Sequence, residues 1–333
     1  VDARDELRFD GRVAVVTGGG RGLGREYALL LAARGARVVV NDVGTGIDGR
    51  GASPSPAQEV AEEIRGHGGE AVADVHDVSD AAGARALAGT AVERWGRLDV
   101  LVNNAGISIL RPLGDLTDEE CARVLATHAG GTLNMLRAVW PHMVESRYGR
   151  IVNTCSDALF GDTGLSAYAA GKGAVLGLTT SSAAEGADHG IKVNAVVPIA
   201  ATRMSLEALD GDEPTAALLG DLFPARHVAA AVAFLAHASV PCTGELLHAA
   251  GRRVARIFLG ATEGVVWEKD PTPEAIRDHL PAIRDTEAFR APTSVSASMA
   301  YSFARLGVGG AEPLTLDLKS PAAGPERTGP AEG

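Results

Sequence analysis

The sequence predicts an α/β protein: a doubly wound, parallel, seven-stranded sheet with helices on both faces. Two observations carry that prediction. Short runs such as Val13–Val16 and Val38–Val40 are apolar at every position, as strands buried on both faces must be. Between such runs stand stretches with helical spacing, so strand and helix alternate down the chain.

After Val13–Val16 the chain reads Thr17-Gly18-x-x-x-Gly22-x-Gly24 and then an Ala/Leu-rich helix that Gly35 ends. Where a glycine turn meets a helix start, free backbone N–H groups and the helix dipole attract a phosphate, and missing side chains let it come close. Asp42, at the end of the second strand, is placed to accept hydrogen bonds from an adenosine ribose. Val43–Pro56 holds four glycines, two prolines and two serines. It is a long loop, read either as a surface insertion or as a wall of the adenosine site.

Ala57, Val60, Ala61 and Ile64 predict a helix that Gly66–Gly69 ends. Ala71–Val75 is the third strand, and Ser79 or Asp80 caps the helix running to Trp95. Leu98–Val102 is the fourth strand, followed by Asn103-Asn104-Ala105-Gly106. Thr117-Asp118-Glu119-Glu120 has capping-box form and starts a long helix containing Gly130 and Gly131, with Pro141 near its end. Gly149–Thr154 and Ile191–Val197 are the fifth and sixth strands, Arg226–His237 an alanine-rich helix, and Thr243–Leu247 the seventh strand. Beyond Gly251 the pattern weakens, with a helix start at Pro273–His279. The expected organisation is one domain over residues 1–255, an extension over 256–308, and a disordered tail over 309–333, rich in proline, glycine and alanine.

Of 333 residues, 46% are hydrophobic and 22% charged, enough for a sizeable core. The net charge of −11 argues against nucleic acid or an anionic membrane as partner. Cys121, Cys155 and Cys242 form no C-x-x-C pair and the nine histidines show no ligand spacing, so no metal is expected. Reduced thiols, no signal-like stretch and no run long enough to span a bilayer read as a cytoplasmic protein.

Tyr168 and Lys172, four apart at a helix start, share one face. An ordinary tyrosine titrates near 10, too high for proton transfer at neutral pH, and a nearby ammonium favours the phenolate. The bland alternative is a half-buried tyrosine beside a solvated lysine.

Together the glycine turn, Asn103-Asn104-Ala105-Gly106 and Tyr168-x-x-x-Lys172 resemble the short-chain dehydrogenase/reductase family over Phe9 to Gly251. The resemblance implies a Rossmann-like fold, a nicotinamide dinucleotide and a secondary alcohol or ketone as small-molecule substrate. It implies cofactor contacts from Gly18, Arg21, Gly22, Leu23, Gly24, Asp42, Asp77, Val78, Asn104, Ala105, Gly106, Tyr168, Lys172, Pro198 and Thr202. By the same resemblance Tyr168 is the general acid/base, Lys172 holds the nicotinamide ribose, and His128 occupies a fourth catalytic position that is usually asparagine. Counting along the strand selects Ser156 to bond the substrate oxygen, whereas the commonest spacing back from the tyrosine selects Cys155. A thiol is a poor donor, so Ser156 is preferred. The family's usual Pro-Gly reads Pro198-Ile199.

Asp42 favours NAD over NADP, against Arg21, which could neutralise a 2′-phosphate. Family members usually pair as dimers or tetramers through helices, here Asp118–Met143 and Tyr168–Glu185. Phe9–Val13, Val40–Gly44, His128 and Pro271–Ala275 further resemble the 3-hydroxyacyl-CoA dehydrogenase module of multifunctional enzyme type 2, which implies a 3-hydroxyacyl thioester as substrate. The alternatives are a polycyclic, steroid-like or secondary-metabolite alcohol, or a non-redox cyclase or lyase on the same fold.

Overall fold

Strand β1 (Val13–Thr17) is buried at every position, and its alternate residues serve two cores. Ala14 and Val16 join one apolar cluster, Val13 and Val15 the other. That two-sided burial is why the sequence there is uniformly apolar. In the computed structural model, which describes residues 6–203 and 212–307, β1 pairs in parallel with β2 (Arg37–Asn41) and β4 (Val100–Asn103). β3 (Glu70–Asp74), β5 (Gly149–Thr154), β6 (Ile191–Ile199) and β7 (Leu246–Ala250) extend the parallel sheet. Helices α1 (Gly22–Ala33) and α2 (Ser55–Gly66) pack on one face, and α3 (Ala81–Trp95) on the other.

The order β3-β2-β1-β4-β5-β6-β7-β8 corrects the expected seven strands to eight. β8 (Arg253–Ile257) runs antiparallel to β7. Gly251, at φ +56°, makes the tight turn between them. β8 carries no apolar run because it is an edge strand, exposed at Arg253, Val254 and Arg256. The expected domain limit at 255 falls inside β8; the first compact unit extends through Phe258, and a second begins at Leu259. β7 starts later than expected because Thr243 and Gly244 belong to the connection. The Thr243 hydroxyl accepts the Val193 N–H at 3.0 Å, and Gly244 turns the chain at φ +76°.

α4 (Asp118–Leu125) begins with the expected capping box, in which Thr117 and Glu120 satisfy each other's backbone N–H groups. The long helix is interrupted by one π turn, Ala126–Gly130, before α5 (Gly131–Ser146). α6 (Ser166–Gly186) carries Tyr168 and Lys172. α7 (Glu213–Leu222) is exposed or half-buried throughout, and α8 (Ala225–Ala236) joins the α1 face of the sheet.

The second unit holds α9 (Pro273–Asp278), which covers most of the expected helix, α10 (Leu280–Ile283) and α11 (Val295–Arg305). Its two-stranded ribbon pairs β9 (Ala261–Thr262) with β10 (Phe289–Arg290). The Thr262 hydroxyl donates to the Ile283 carbonyl at 2.7 Å, and the Arg290 guanidinium lies over the Tyr301 ring. The tail over 309–333 lies outside the described residues.

Candidate active site

A cavity of about 450 Å³ opens at the carboxyl ends of β1, β2, β4, β5 and β6, where ligands bind in open α/β sheets. At one end the glycine turn folds as its spacing implies. Gly18 and Gly22 take φ of +60° and +51°, and no described side chain caps the start of α1, whose residues Gly22 and Leu23 line the cavity. A Cβ on Gly18 would stand 2.9 Å from the Ala105 Cα, and one on Gly24 would collide with the Gly18 carbonyl.

The Asn104 amide supports this turn from the next strand. Its Nδ2 donates to the Thr17 and Gly18 carbonyls at 3.1 and 3.0 Å. Thr17, which opens the glycine motif but was assigned no contact from the sequence, accepts the N–H groups of both Asn104 and Ala105 at 3.0 Å. Its one-residue lead into the glycines was the available signal.

Asp42 directly follows β2, its carboxylate accepting the N–H of Gly20 at 3.0 Å and of Gly44 at 2.7 Å. It thereby ties the glycine turn to the long loop. That loop walls the cavity through Thr45, Gly46, Ile47 and Gly49. The Thr45 carbonyl accepts from both Arg21 and Arg203, at 3.3 and 3.4 Å. Asp77, Val78, Pro198 and Thr202 also line the cavity, as do Leu23, Gly106 and His76. Gly24 alone among the expected contacts is off the wall, buried behind it where α1 passes Gly18.

At the other end stand Ser156, Tyr168, Lys172 and His128. Lys172 is almost wholly buried, and its ammonium donates to the Thr154 carbonyl at 2.7 Å. Desolvation lowers its pKa to about 8. The Tyr168 phenol moves the other way from the sequence expectation. Burial raises it, and a hydrogen bond with Ser156 pulls only part of the way back. The ammonium, 5.5 Å from the ring centroid, is already engaged with Thr154.

Ser156 is the N-cap of the short turn Asp157–Phe160, its hydroxyl accepting the Ala158 N–H at 3.1 Å. The Cys155 thiol points instead at the Lys172 carbonyl, 3.5 Å away, among Ala195, Val197 and Leu246. Burial pushes that thiol up, so it stays protonated and inert.

The π turn carries His128 under the site, with its ring edge-on to Tyr168 at 5.1 Å. Its Nε2–H donates to the Ile107 carbonyl at 2.7 Å, and Nδ1 is buried without a partner among the described residues. Burial first, then the Lys172 charge, lower its pKa to about 3, so the imidazole is neutral. Gly106 and Gly171 make room for it; a Cβ on Gly106 would stand 2.6 Å from its Cε1.

The glycine turn, Asp42 and the buried lysine line one cavity, and their chemistry fits a nicotinamide dinucleotide. Among the described residues no cluster of side chains could hold a metal, and no helix is long and apolar enough to cross a membrane.

The chain is 41% identical over 278 residues to the peroxisomal multifunctional enzyme type 2 of Drosophila melanogaster, covering 82% of this chain but 45% of that one. The chain therefore spans under half of that relative's length. A hydroxyacyl-CoA dehydrogenase of Mycobacterium tuberculosis is 35% identical over 295 residues, 84% of this chain and 91% of that one. A solved short chain dehydrogenase from Mycobacterium avium superposes with a TM-score of 0.71 at 36% identity, over 82% and 94% of the two chains. Residues 12–211 match the short chain dehydrogenase family as a whole. The chain belongs to the short-chain dehydrogenase/reductase family.

Proposed function

We propose that the protein is an NAD-dependent dehydrogenase that interconverts a 3-hydroxyacyl thioester and its 3-keto form. The observation that carries this is the meeting of Ser156, Tyr168 and Lys172 at one end of a cavity whose other end is the glycine turn and Asp42. A bound nicotinamide supplies the hydride chemistry. Ser156 holds the substrate oxygen, and the Tyr168 phenol gives or takes its proton. Lys172 orients the cofactor ribose, and His128, fixed by Ile107, braces the ring of Tyr168. Relatives named hydroxyacyl-CoA dehydrogenase and multifunctional enzyme type 2 support the thioester as substrate.

Asp42 supports NAD over NADP, because its carboxylate borders the ribose end of the cavity and repels a 2′-phosphate. Three unbridged cysteines support a cytoplasmic location; the relatives named peroxisomal supply the alternative compartment. A homodimer or homotetramer paired through α4, α5 and α6 completes the reading. The test is NADH formation from 3-hydroxybutyryl-CoA, with NADP and a hydroxysteroid as parallel arms. Turnover of the thioester with NAD is expected; higher efficiency with NADP, or with the steroid, overturns the corresponding part. Light scattering showing only monomer at micromolar concentration overturns the oligomer.

A further inference from the structure

The residue after Ser156 is contacted from β7, and through it from the edge strand β8 that sequence patterning does not announce. Asp157 follows Ser156 and opens the short turn that Ser156 caps. Its carboxylate Oδ2 lies 3.2 Å from Nε2 of His248 on β7. Nδ1 of the same ring lies 3.0 Å from the Arg253 guanidinium at the head of β8. A guanidinium can only donate, so Nδ1 accepts and Nε2 carries the proton given to Asp157. One tautomer of a neutral imidazole satisfies both contacts. The His248 side chain is 12% exposed, and Oδ1 of Asp157 has no hydrogen-bond partner among the described residues. His248 is therefore the side chain that fixes this carboxylate.

We propose that Arg253, His248 and Asp157 form a positioning chain that pins the turn aiming the Ser156 hydroxyl at Tyr168, so that β8 serves the reaction. The proposal rests on Ser156 and Tyr168 as the reacting pair, as read above. His248 and Arg253 act through Asp157 and touch no reacting atom. A plain stabilising role predicts something different. Glutamine offers a donor and an acceptor, as the bound tautomer does, whereas leucine fills similar space and offers neither.

Two measurements separate the roles. The first is oxidation of 3-hydroxybutyryl-CoA with NAD, with kcat and KM determined separately. The second needs no substrate: carbon NMR of protein labelled at tyrosine Cζ, with the Tyr168 signal assigned by Tyr168→Phe. His248→Leu is expected to lower kcat about 10- to 100-fold, with the KM for NAD within about threefold, because misplacing a reacting group costs that much. The same variant is expected to move the Tyr168 signal in the direction that Ser156→Ala moves it. His248→Gln is expected to restore both readouts. Equal behaviour of the leucine and glutamine variants overturns the proposal, as does a leucine variant with wild-type kcat and signal. Should His248→Leu fail to fold, Arg253→Leu against Arg253→Lys reads the same contrast, since lysine keeps a donor for Nδ1. If the wild type does not oxidise the thioester, the substrate reading fails by itself, and the NMR contrast still decides the positioning chain.

Discussion

Tyr168 and Lys172 share surroundings that disfavour both of their charged forms. Burial raises the phenol and lowers the ammonium to about 8, so each alone tends toward neutrality. The Ser156 hydrogen bond draws the phenol part of the way back, and the ammonium is held by the Thr154 carbonyl. Tyr168→Phe removes the transferable proton and keeps the ring against His128. Turnover is expected to fall about 10²–10⁴-fold while NADH binding, read by fluorescence, stays near wild type. Lys172→Ala is expected to lose both. His128 supplies a pH prediction. Its folded pKa, about 3, lies below the ordinary 6.5, so between these values the unfolded chain binds the extra proton. Stability is intact above pH 6.5 and falls as pH drops toward 3, by at most about 1.4 kcal/mol per pH unit. His128→Asn keeps a donor for the Ile107 carbonyl without titrating. Urea unfolding at pH 7 and pH 4.5 should show a smaller acid loss in the variant; equal losses would remove the imidazole from the account. These residues were legible from their motifs, but the directions of their shifts were not, since burial is settled only by the folded chain.

At the scale of elements, the parts readable in advance are those whose signal is local. The glycine turn, the Thr117–Glu120 capping box and the uniformly apolar strands each follow from a few adjacent residues. β8 escaped because an exposed edge strand needs no apolar run, and the π turn because Ala126–Gly130 differs little in composition from an ordinary helical turn. The Asp157–His248 contact joins residues 91 apart, which no spacing rule connects. The π turn makes its own demand on the neighbouring loop. It sets the His128 ring under Gly106, where a Cβ would approach Cε1 to 2.6 Å. The ring cannot yield easily, being held by the Ile107 carbonyl. Gly106→Ala is therefore expected to cost about 1–3 kcal/mol by overpacking, and to depress activity with it. In a His128→Ala background the clash is gone and the added cost should shrink, a coupling that thermal unfolding of the four variants measures. Additive costs would place the strain elsewhere.

Across the whole sheet the two ends do separate work. The carboxyl ends carry the cavity, while the amino ends of β1, β4 and β5 are closed by a charged cluster. There Asp99, 1% exposed, accepts from Arg97 at 2.7 and 2.6 Å, from Arg12 at 2.9 Å and from the Val13 N–H at 2.9 Å. Arg12 and Arg150 both lie over the Tyr148 ring, at 3.8 and 4.4 Å from its centroid, and Arg150 also donates to the Gly149, Gly190 and Ala238 carbonyls. Burial raises the Asp99 carboxyl, but Arg97, Val13 and Arg12 outweigh it and hold the pKa below the ordinary 3.8. The cluster therefore contributes stability that is present above that value and lost as pH falls through the folded pKa. Asp99→Asn keeps the shape and removes the charge. The expected loss is about 2–3 kcal/mol, less than for a fully buried pair because both arginines reach water. For a domain of this size that is a fall in Tm of about 4–12 °C. Since no residue of the cluster lines the cavity, kcat and KM at 25 °C should hold while the Tm drops. Below the folded pKa of Asp99 the wild type should converge on the variant. A variant with wild-type Tm would show the cluster to be neutral. A variant with wild-type Tm and reduced kcat would join the two ends of the sheet in one function, against this division of labour.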